Sequence, residues 1–362
     1  MAGNKKILFL YAHVQPFLLA GIGRLIAKYN AEVLIICWPK ADMSPTDITA
    51  NEKISFLFKT GDNTKTIKDA ILNFDPDVVY NVGWMDKDYL RWCYMFKKLG
   101  KVNIMAMDTQ WQATLKQRIN CILGRFIFKS LFSYAWVPGP LQYSYARRLG
   151  FDVEHILNNV YAVDTNLFRN VYQKFLPLKK LHYPRAFLYA GRLVEHKFGS
   201  LLRAFSTLSK AEKAGWKLIV AGKGPMEDSP PMQAEDIIYK GFLQHTELAA
   251  LAGEAGVFCL LSTEEPWGMV IQEFAAAGLP ILASTQCGAA HTFVKEGVNG
   301  YTCDGNDIDG IKRLLLKMIG KDSSELLAMG EKSMQLAVPV NSELWADTLM
   351  SVLAEGKDQQ HQ

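Results

Sequence analysis

Short runs of apolar residues recur along the chain at 7–11, 32–38, 78–83, 102–107 and 134–138, and again at 186–190, 217–221, 236–240, 257–261 and 280–284. The longer stretches between them carry helical patterns. Unbroken strand-length runs alternating with helices predict parallel sheets built from β-α-β units. Two such series predict an α/β chain of two doubly wound, Rossmann-like domains. The polar and basic stretch 170–183, with Pro177 inside it and Pro184 after it, reads as the linker, so the domains fall at 1–170 and 184–338. Beyond Pro339, Trp345, Leu349 and Leu353 predict an amphipathic helix over 340–356 that can pack back on the first domain, while 357–362 reads as disordered.

Composition narrows the class without changing this picture. At 362 residues, 49% hydrophobic and 21% charged, the chain reads as an ordinary soluble globular protein with two cores. No apolar run approaches the roughly 18 residues that would span a bilayer. The opening Met-Ala-Gly-Asn-Lys-Lys leads straight into the strand Ile7–Tyr11, which is not the pattern of a signal peptide. The six cysteines form no C-x-x-C pair and several lie in apolar runs, so a reduced, cytoplasmic protein is expected. Charge is uneven, with 22 Lys+Arg against 14 Asp+Glu in residues 1–176. Such a basic half can face a membrane or a polyphosphate, and reads equally as scattered solvated lysines. With no basic run or recognition motif, nucleic acid is not an expected partner.

Candidate chemistry gathers in three strand-to-helix junctions. The richest runs from Glu264 to Ser284, where Glu265 precedes the helical segment that begins near Gly268, and Glu273 lies on it. Ends of parallel strands and starts of the following helices are where α/β proteins bind phosphorylated ligands. The unbonded N–H groups of Gly268, Met269 and Val270 can face a diphosphate, with Glu273 placed for ribose hydroxyls and Glu265 for the group beyond the phosphates. The plain structural alternative is one Glu capping the helix and another on its solvated face. A second junction reads Gly191-Arg192-Leu193-Val194-Glu195-His196-Lys197, in which a guanidinium and an ammonium can both grip phosphate oxygens. The third, Gly222-Lys223-Gly224-Pro225, is a strand running into a glycine-rich turn.

Together these elements resemble the donor-binding domain of retaining GT-B glycosyltransferases, specifically glycosyltransferase family 4 (glycosyl transferases group 1). The resemblance covers residues 186–300: Gly191-Arg192-Leu193 with Lys197, the Gly222–Pro225 turn, Glu265 to Glu273 as E-x7-E, Gly278-Leu279-Pro280, and Gly297-Val298-Asn299-Gly300. The segment Ile238 to Leu243 resembles the family's strand beside the nucleotide base, which brings in Phe242. Residues 157–164 resemble, more thinly, the stretch before the domain crossing. The resemblance implies a GT-B fold, two Rossmann-like domains facing across a cleft that closes on the donor. It also implies transfer of a sugar with retention from a nucleotide sugar, UDP- or GDP-linked, to a glycan or lipid-linked acceptor in polysaccharide, lipopolysaccharide or glycolipid assembly. By it, Arg192 and Lys197 bind the diphosphate, Glu273 the ribose and Glu265 the transferred sugar, with Gly224, Phe242, Gly268, Met269 and Val270 completing the donor site. No metal and no cofactor beyond the donor are implied, and the scatter of the histidines agrees. Of the scattered histidines, only His196 stands in the phosphate loop.

The first half departs from the family. Its first strand-to-helix loop, Ala12 to Phe17, lacks the family's glycine pair, and Gly21 and Gly23 follow inside the expected helix. Where many members carry a His after the fourth strand, this chain reads Ala106-Met107-Asp108-Thr109. Asp108 can hold that place and orient or deprotonate an acceptor hydroxyl, or it can cap the next helix. Residues 115–132 interleave Lys116, Arg118, Arg125 and Lys129 with Leu, Ile and Phe, and 91–101 are similar. Each can be a basic helix on the inner face of a membrane, or a core-facing helix with a solvated back. Other functions fit less well. A sugar-nucleotide epimerase of the same fold needs acid/base residues that no histidine set supplies. A dinucleotide oxidoreductase needs G-x-G-x-x-G after a first strand. A non-catalytic nucleotide-sugar binding protein differs only in lacking turnover.

Overall fold

The computed structural model describes residues 4–39, 50–161 and 163–358, and the chain forms two compact units. The first comprises residues 1–162 and 341–362, the second residues 163–340.

The first unit is built on seven strands: β1 (Lys6–Leu10), β2 (Glu32–Cys37), β3 (Ile54–Phe58), β4 (Val78–Val82), β5 (Val102–Ala106), β6 (Tyr134–Trp136) and β7 (Ile156–Leu157). All pair in parallel, in the order β3-β2-β1-β4-β5-β6-β7. Central strands such as β1 and β4 are covered on both faces, which is why they read as apolar runs. Edge strand β3 is half exposed, and β7 is only two residues long. The sequence pattern missed both.

Helix Ser342–Asp358 belongs to this unit. Its Trp345 is fully buried, stacks on Trp136 at 5.1 Å, and donates its indole N–H to the Val160 carbonyl at 2.8 Å. Gly21, inside helix Pro16–Tyr29, is where that ring lies: a Cβ there would meet Trp345 Cε3 at 2.6 Å. The helix continues through Asp358, two residues into the stretch expected to be disordered, and 359–362 lie outside the described residues.

The second unit has six strands: β8 (Ala186–Ala190), β9 (Lys217–Ala221), β10 (Ile237–Gly241), β11 (Val257–Leu260), β12 (Ile281–Ser284) and β13 (Gly300–Cys303). They run parallel in the order β10-β9-β8-β11-β12-β13. The expected linker is instead a helix, Thr165–Leu181, capped by the Asp164 side chain and packed on this unit. Phe168 meets Phe274 edge-on at 5.9 Å, and the buried Lys179 ammonium donates to the Ala255 carbonyl at 2.8 Å. Pro177 sits on the exposed side, where it removes one helix hydrogen bond without breaking the run. The second unit therefore begins at residue 163 rather than 184, and Ala162, within the 157–164 resemblance, lies outside the described residues.

Candidate functional site

The loops and helix starts that follow β8, β9, β10 and β11 hold every donor-site residue expected from the sequence. Those after β8 and β9 are bound together: Gly191 N–H donates to the Ala221 carbonyl at 3.0 Å and Leu193 N–H to the Lys223 carbonyl at 2.9 Å. The approach is so close that a Cβ on Gly222 would stand 1.8 Å from the Gly191 oxygen, and one on Gly224 2.5 Å from the Leu193 oxygen. Gly224 thus has a packing reason of its own. Arg192 projects from this joined turn, exposed, and its guanidinium makes no ion pair among the described residues. Its carbonyl accepts from the Tyr189 hydroxyl at 2.8 Å.

Lys197 lies in a single π-helical turn, Glu195–Gly199, and reaches across to the loop after β11. Its ammonium is 2.7 Å from Glu265 Oε2, with only 17% and 11% of the two side chains exposed. Two residues read as parts of separate motifs, 68 positions apart, therefore form one ion pair. The Glu265 loop is held by the loop after β12, through Gly288 N–H to the Glu265 carbonyl at 3.4 Å and Ala289 N–H to the buried Trp267's carbonyl at 2.9 Å. Gly268 then turns the chain at φ 92, in the left-handed region that glycine enters without strain, and helix Met269–Ala276 begins. The N–H groups of Gly268, Met269 and Val270 donate to no described residue, so the positive end of the helix is open to an anion.

Glu273, one turn further, is 7% exposed, which overturns the alternative of a carboxylate on a solvated helix face. It is met by a residue the sequence did not connect with it: His245 Nε2 lies 3.1 Å from Glu273 Oε1. The hydrogen bond with Glu273 raises the His245 pKa above the ordinary imidazole value, against burial, which lowers it. Phe168 lies edge-on to the His245 ring at 5.3 Å. No spacing rule ties His245 to a glutamate 28 residues on; the available signal was a histidine opening the helix after the Phe242 loop. His196, the one singled out, is exposed, and only its carbonyl is engaged, by Thr263 N–H at 2.8 Å. Phe242, 55% exposed, follows β10. Since β10 and β11 are separated by two strands, Phe242 and Glu265 issue from strand ends roughly 14 Å apart. That edge suits an elongated anion with a flat group at one end.

In the first unit, a cavity of about 270 Å³ opens at the C-terminal ends of β1 and β4, where the strand order reverses. Tyr11, Trp38, Tyr80, Trp84 and Tyr161 line it, together with the carboxylates of Asp86 and Asp108. Asp108 accepts the Tyr161 hydroxyl at 2.7 Å. Burial pushes the Tyr161 pKa well up, and the Asp108 charge adds to it. Asp108 does not cap the next helix: Leu115–Leu131 is capped by Thr114, whose side chain accepts Gln117 N–H. Among the described residues, one group could offer three metal ligands, the solvent-facing Asp152, Glu154 and His155, and Lys129 already engages Asp152 at 3.1 Å. No helix among them is long and apolar enough to cross a membrane.

A parallel α/β unit with an open helix start, an exposed Arg without an ion pair among the described residues, and a half-buried Lys–Glu pair at the C-terminal ends of its strands can take an anionic ligand. Comparison with known proteins is more specific. Residues 177–336 match the family model described as glycosyl transferases group 1. Over 136 residues the chain is 33% identical to glycogen synthase of Mycobacterium tuberculosis, covering 35% of this chain and 32% of that protein. Over 170 residues it is 28% identical to the lipopolysaccharide core biosynthesis glycosyltransferase LpsE of Rhizobium meliloti, covering 45% of this chain and 48% of LpsE. The chain thus spans about a third to a half of the length of these curated relatives. In fold the likeness extends over nearly the whole chain. Anabaena HepE, in complex with UDP and glucose, superposes with a TM-score of 0.72 at 14% identity, over 97% of this chain and 100% of HepE. Sucrose-phosphate synthase from Thermosynechococcus elongatus gives 0.74 at 15% identity, over 97% and 99%. The fold is that of the GT-B glycosyltransferases, and the sequence matches support a group 1 glycosyltransferase.

Proposed function

We propose that this chain is a retaining glycosyltransferase of family 4 that moves a sugar from a nucleoside diphosphate sugar to a hydroxyl of a glycan or lipid-linked acceptor. The observation that carries the reading is the Lys197–Glu265 pair beside the open N-terminus of helix Met269–Ala276, on the segment that matches the family model. In the reaction, the bond from the sugar's anomeric carbon to the diphosphate oxygen breaks, and a bond to the acceptor oxygen forms on the same face. The acceptor's proton passes to the Asp108 carboxylate, and the nucleoside diphosphate leaves with an added negative charge. Arg192, Lys197 and the N–H groups of Gly268, Met269 and Val270 take up that charge, the electrostatic service that fixed donors perform best. Glu265, held by Lys197, addresses the sugar hydroxyls. Glu273 keeps one carboxylate oxygen for the ribose while His245 holds the other. Phe242 offers an exposed ring to the base, and Asp108, oriented by Tyr161, receives the acceptor hydroxyl.

UDP and GDP are the nucleotides proposed, the first supported by UDP in HepE and no cofactor being called for besides the donor. Polysaccharide, lipopolysaccharide or glycolipid assembly is the proposed setting, in the cytoplasm and at the inner face of its membrane. A thermal-shift screen against UDP-, GDP-, ADP-, dTDP- and CMP-linked sugars tests the donor site. A hit that disappears in Glu273→Ala supports it, and silence from every donor with a well-folded sample would overturn it. Retention is read from the anomeric configuration of the product by NMR. Donor binding without transfer to any acceptor would favour a binding protein, and a changed sugar on the recovered nucleotide an epimerase.

A further inference from the structure

Helix Leu115–Leu131 turns Gln117, Gly124, Phe128 and Leu131 inward. A helix buried on one side normally presents polar residues on the other, and this one does not. Leu115 and Phe126 stand 75% and 80% exposed, and Ile119, Ile122, Leu123 and Ile127 are exposed with them. At about 100° per residue these six fill an arc of roughly 140° on the solvent side. Arg118, Arg125 and Lys129 line one edge of the stripe, Lys116 lies within it between Leu123 and Ile127, and the helix carries no acidic residue. The reading of a core-facing helix with a solvated back therefore fails, because the back itself is apolar.

A second feature adjoins the stripe. A recess of about 480 Å³ is lined by Trp111, Cys121, Ile122, Arg118, Arg125 and Arg148. The Arg148 guanidinium lies over the Trp111 ring at 4.6 Å, which holds it at the rim. None of the three arginines makes an ion pair among the described residues. Unneutralised guanidiniums beside exposed aliphatic side chains match a surface that is anionic outside and apolar just beneath.

We propose that this face docks on an anionic phospholipid bilayer, the Leu115–Ile127 stripe entering the acyl boundary and the Arg118–Arg125–Arg148 recess taking a lipid phosphate. A second copy of the chain fits less well, since pairing the stripe with itself would set its four cations against their own kind. The surface belongs to the first unit and shares no residue with the donor loops, so it holds or falls independently of the transferase reading.

The test is sedimentation of the full chain with vesicles, without donor or acceptor. Binding to phosphatidylglycerol–phosphatidylcholine vesicles should exceed binding to phosphatidylcholine alone by tenfold or more, and fall steeply with salt. Phe126→Glu and the triple variant Arg118→Gln, Arg125→Gln, Arg148→Gln should each lose most of it, with unchanged melting temperatures. Equal binding to neutral and anionic vesicles, or no binding at all, overturns the proposal. So does a concentration-dependent dimer in size exclusion that Phe126→Glu dissolves, because the stripe is then covered by protein. Should Phe126→Glu fail to fold, Ile122→Ser on the same stripe gives the same reading.

Discussion

Two carboxylates in the donor loops are each engaged by a basic side chain, and the pairs differ in what titrates. Lys197 and Glu265 are both largely withdrawn from water. Removing one leaves the other charged and poorly solvated, which costs up to about 3–5 kcal/mol for a fully buried pair and less here, where each keeps some water. Lys197→Met and Glu265→Gln should therefore each lower stability by roughly 1–3 kcal/mol. The double variant should lose less than their sum, and denaturant melts of the four proteins measure the coupling. An additive result would show that the pair contributes nothing jointly. The His245–Glu273 contact depends on pH instead. Its folded-state pKa is raised above 6.5, so its stabilising share is complete below that value and is lost as pH rises through the raised one. The stability lost in His245→Gln should be larger at pH 5.5 than at pH 9, and an equal loss at both would mean that folding leaves the imidazole's proton affinity unchanged. At this scale the sequence shows residue types and hides partners. Lys197 and Glu265 stood out through their motifs, yet their contact, like that of His245 with Glu273, is made by the fold across many positions.

Elements were legible wherever both faces of a strand are buried, because burial removes any need for alternation. The ten apolar runs all correspond to strands, while β3, β7 and β13 escaped, being a half-exposed edge, a two-residue pair and the short Gly300–Cys303. Helix Thr165–Leu181 was hidden by its own composition, with lysines and Pro177 masking the Phe168 face. Its buried Lys179 gives this element a pH signature opposite to that of His245. Burial lowers the ammonium's pKa to about 7, while the unfolded value is near 10.5. Between these values the unfolded chain binds more protons than the folded one, so stability rises with pH across that window. Below pH 7 the folded ammonium is charged too and the slope vanishes. Lys179→Met should flatten the rise between pH 7 and 9.5, which melts of both proteins at matched salt would show. A slope unchanged by the substitution would mean that the ammonium stays charged, held by the Ala255 carbonyl.

At the scale of the molecule, the chain leaves the first unit at residue 162 and returns to it at 341, so that unit is closed by its last segment. The closure rests on Trp345, which fills the space between Phe9, Tyr80 and Trp136, with Gly21 leaving room for its ring. On its polar side, Asp347 binds the Tyr29 hydroxyl at 2.6 Å and the Lys28 ammonium at 2.8 Å. Those ion pairs are exposed and add little, so the indole carries the attachment. Replacing a buried Trp by Ala typically costs about 3–5 kcal/mol, a large share of the stability of a unit this size. Trp345→Ala should therefore speed amide exchange throughout β1, β4 and helix Pro16–Tyr29, read by mass spectrometry. Strands β8 to β12 should keep their protection, and the donor loops they carry their nucleotide affinity. Equal loss of protection in residues 163–340 would mean that the two units unfold as one. Unchanged exchange everywhere would mean that the first unit is closed without its last helix.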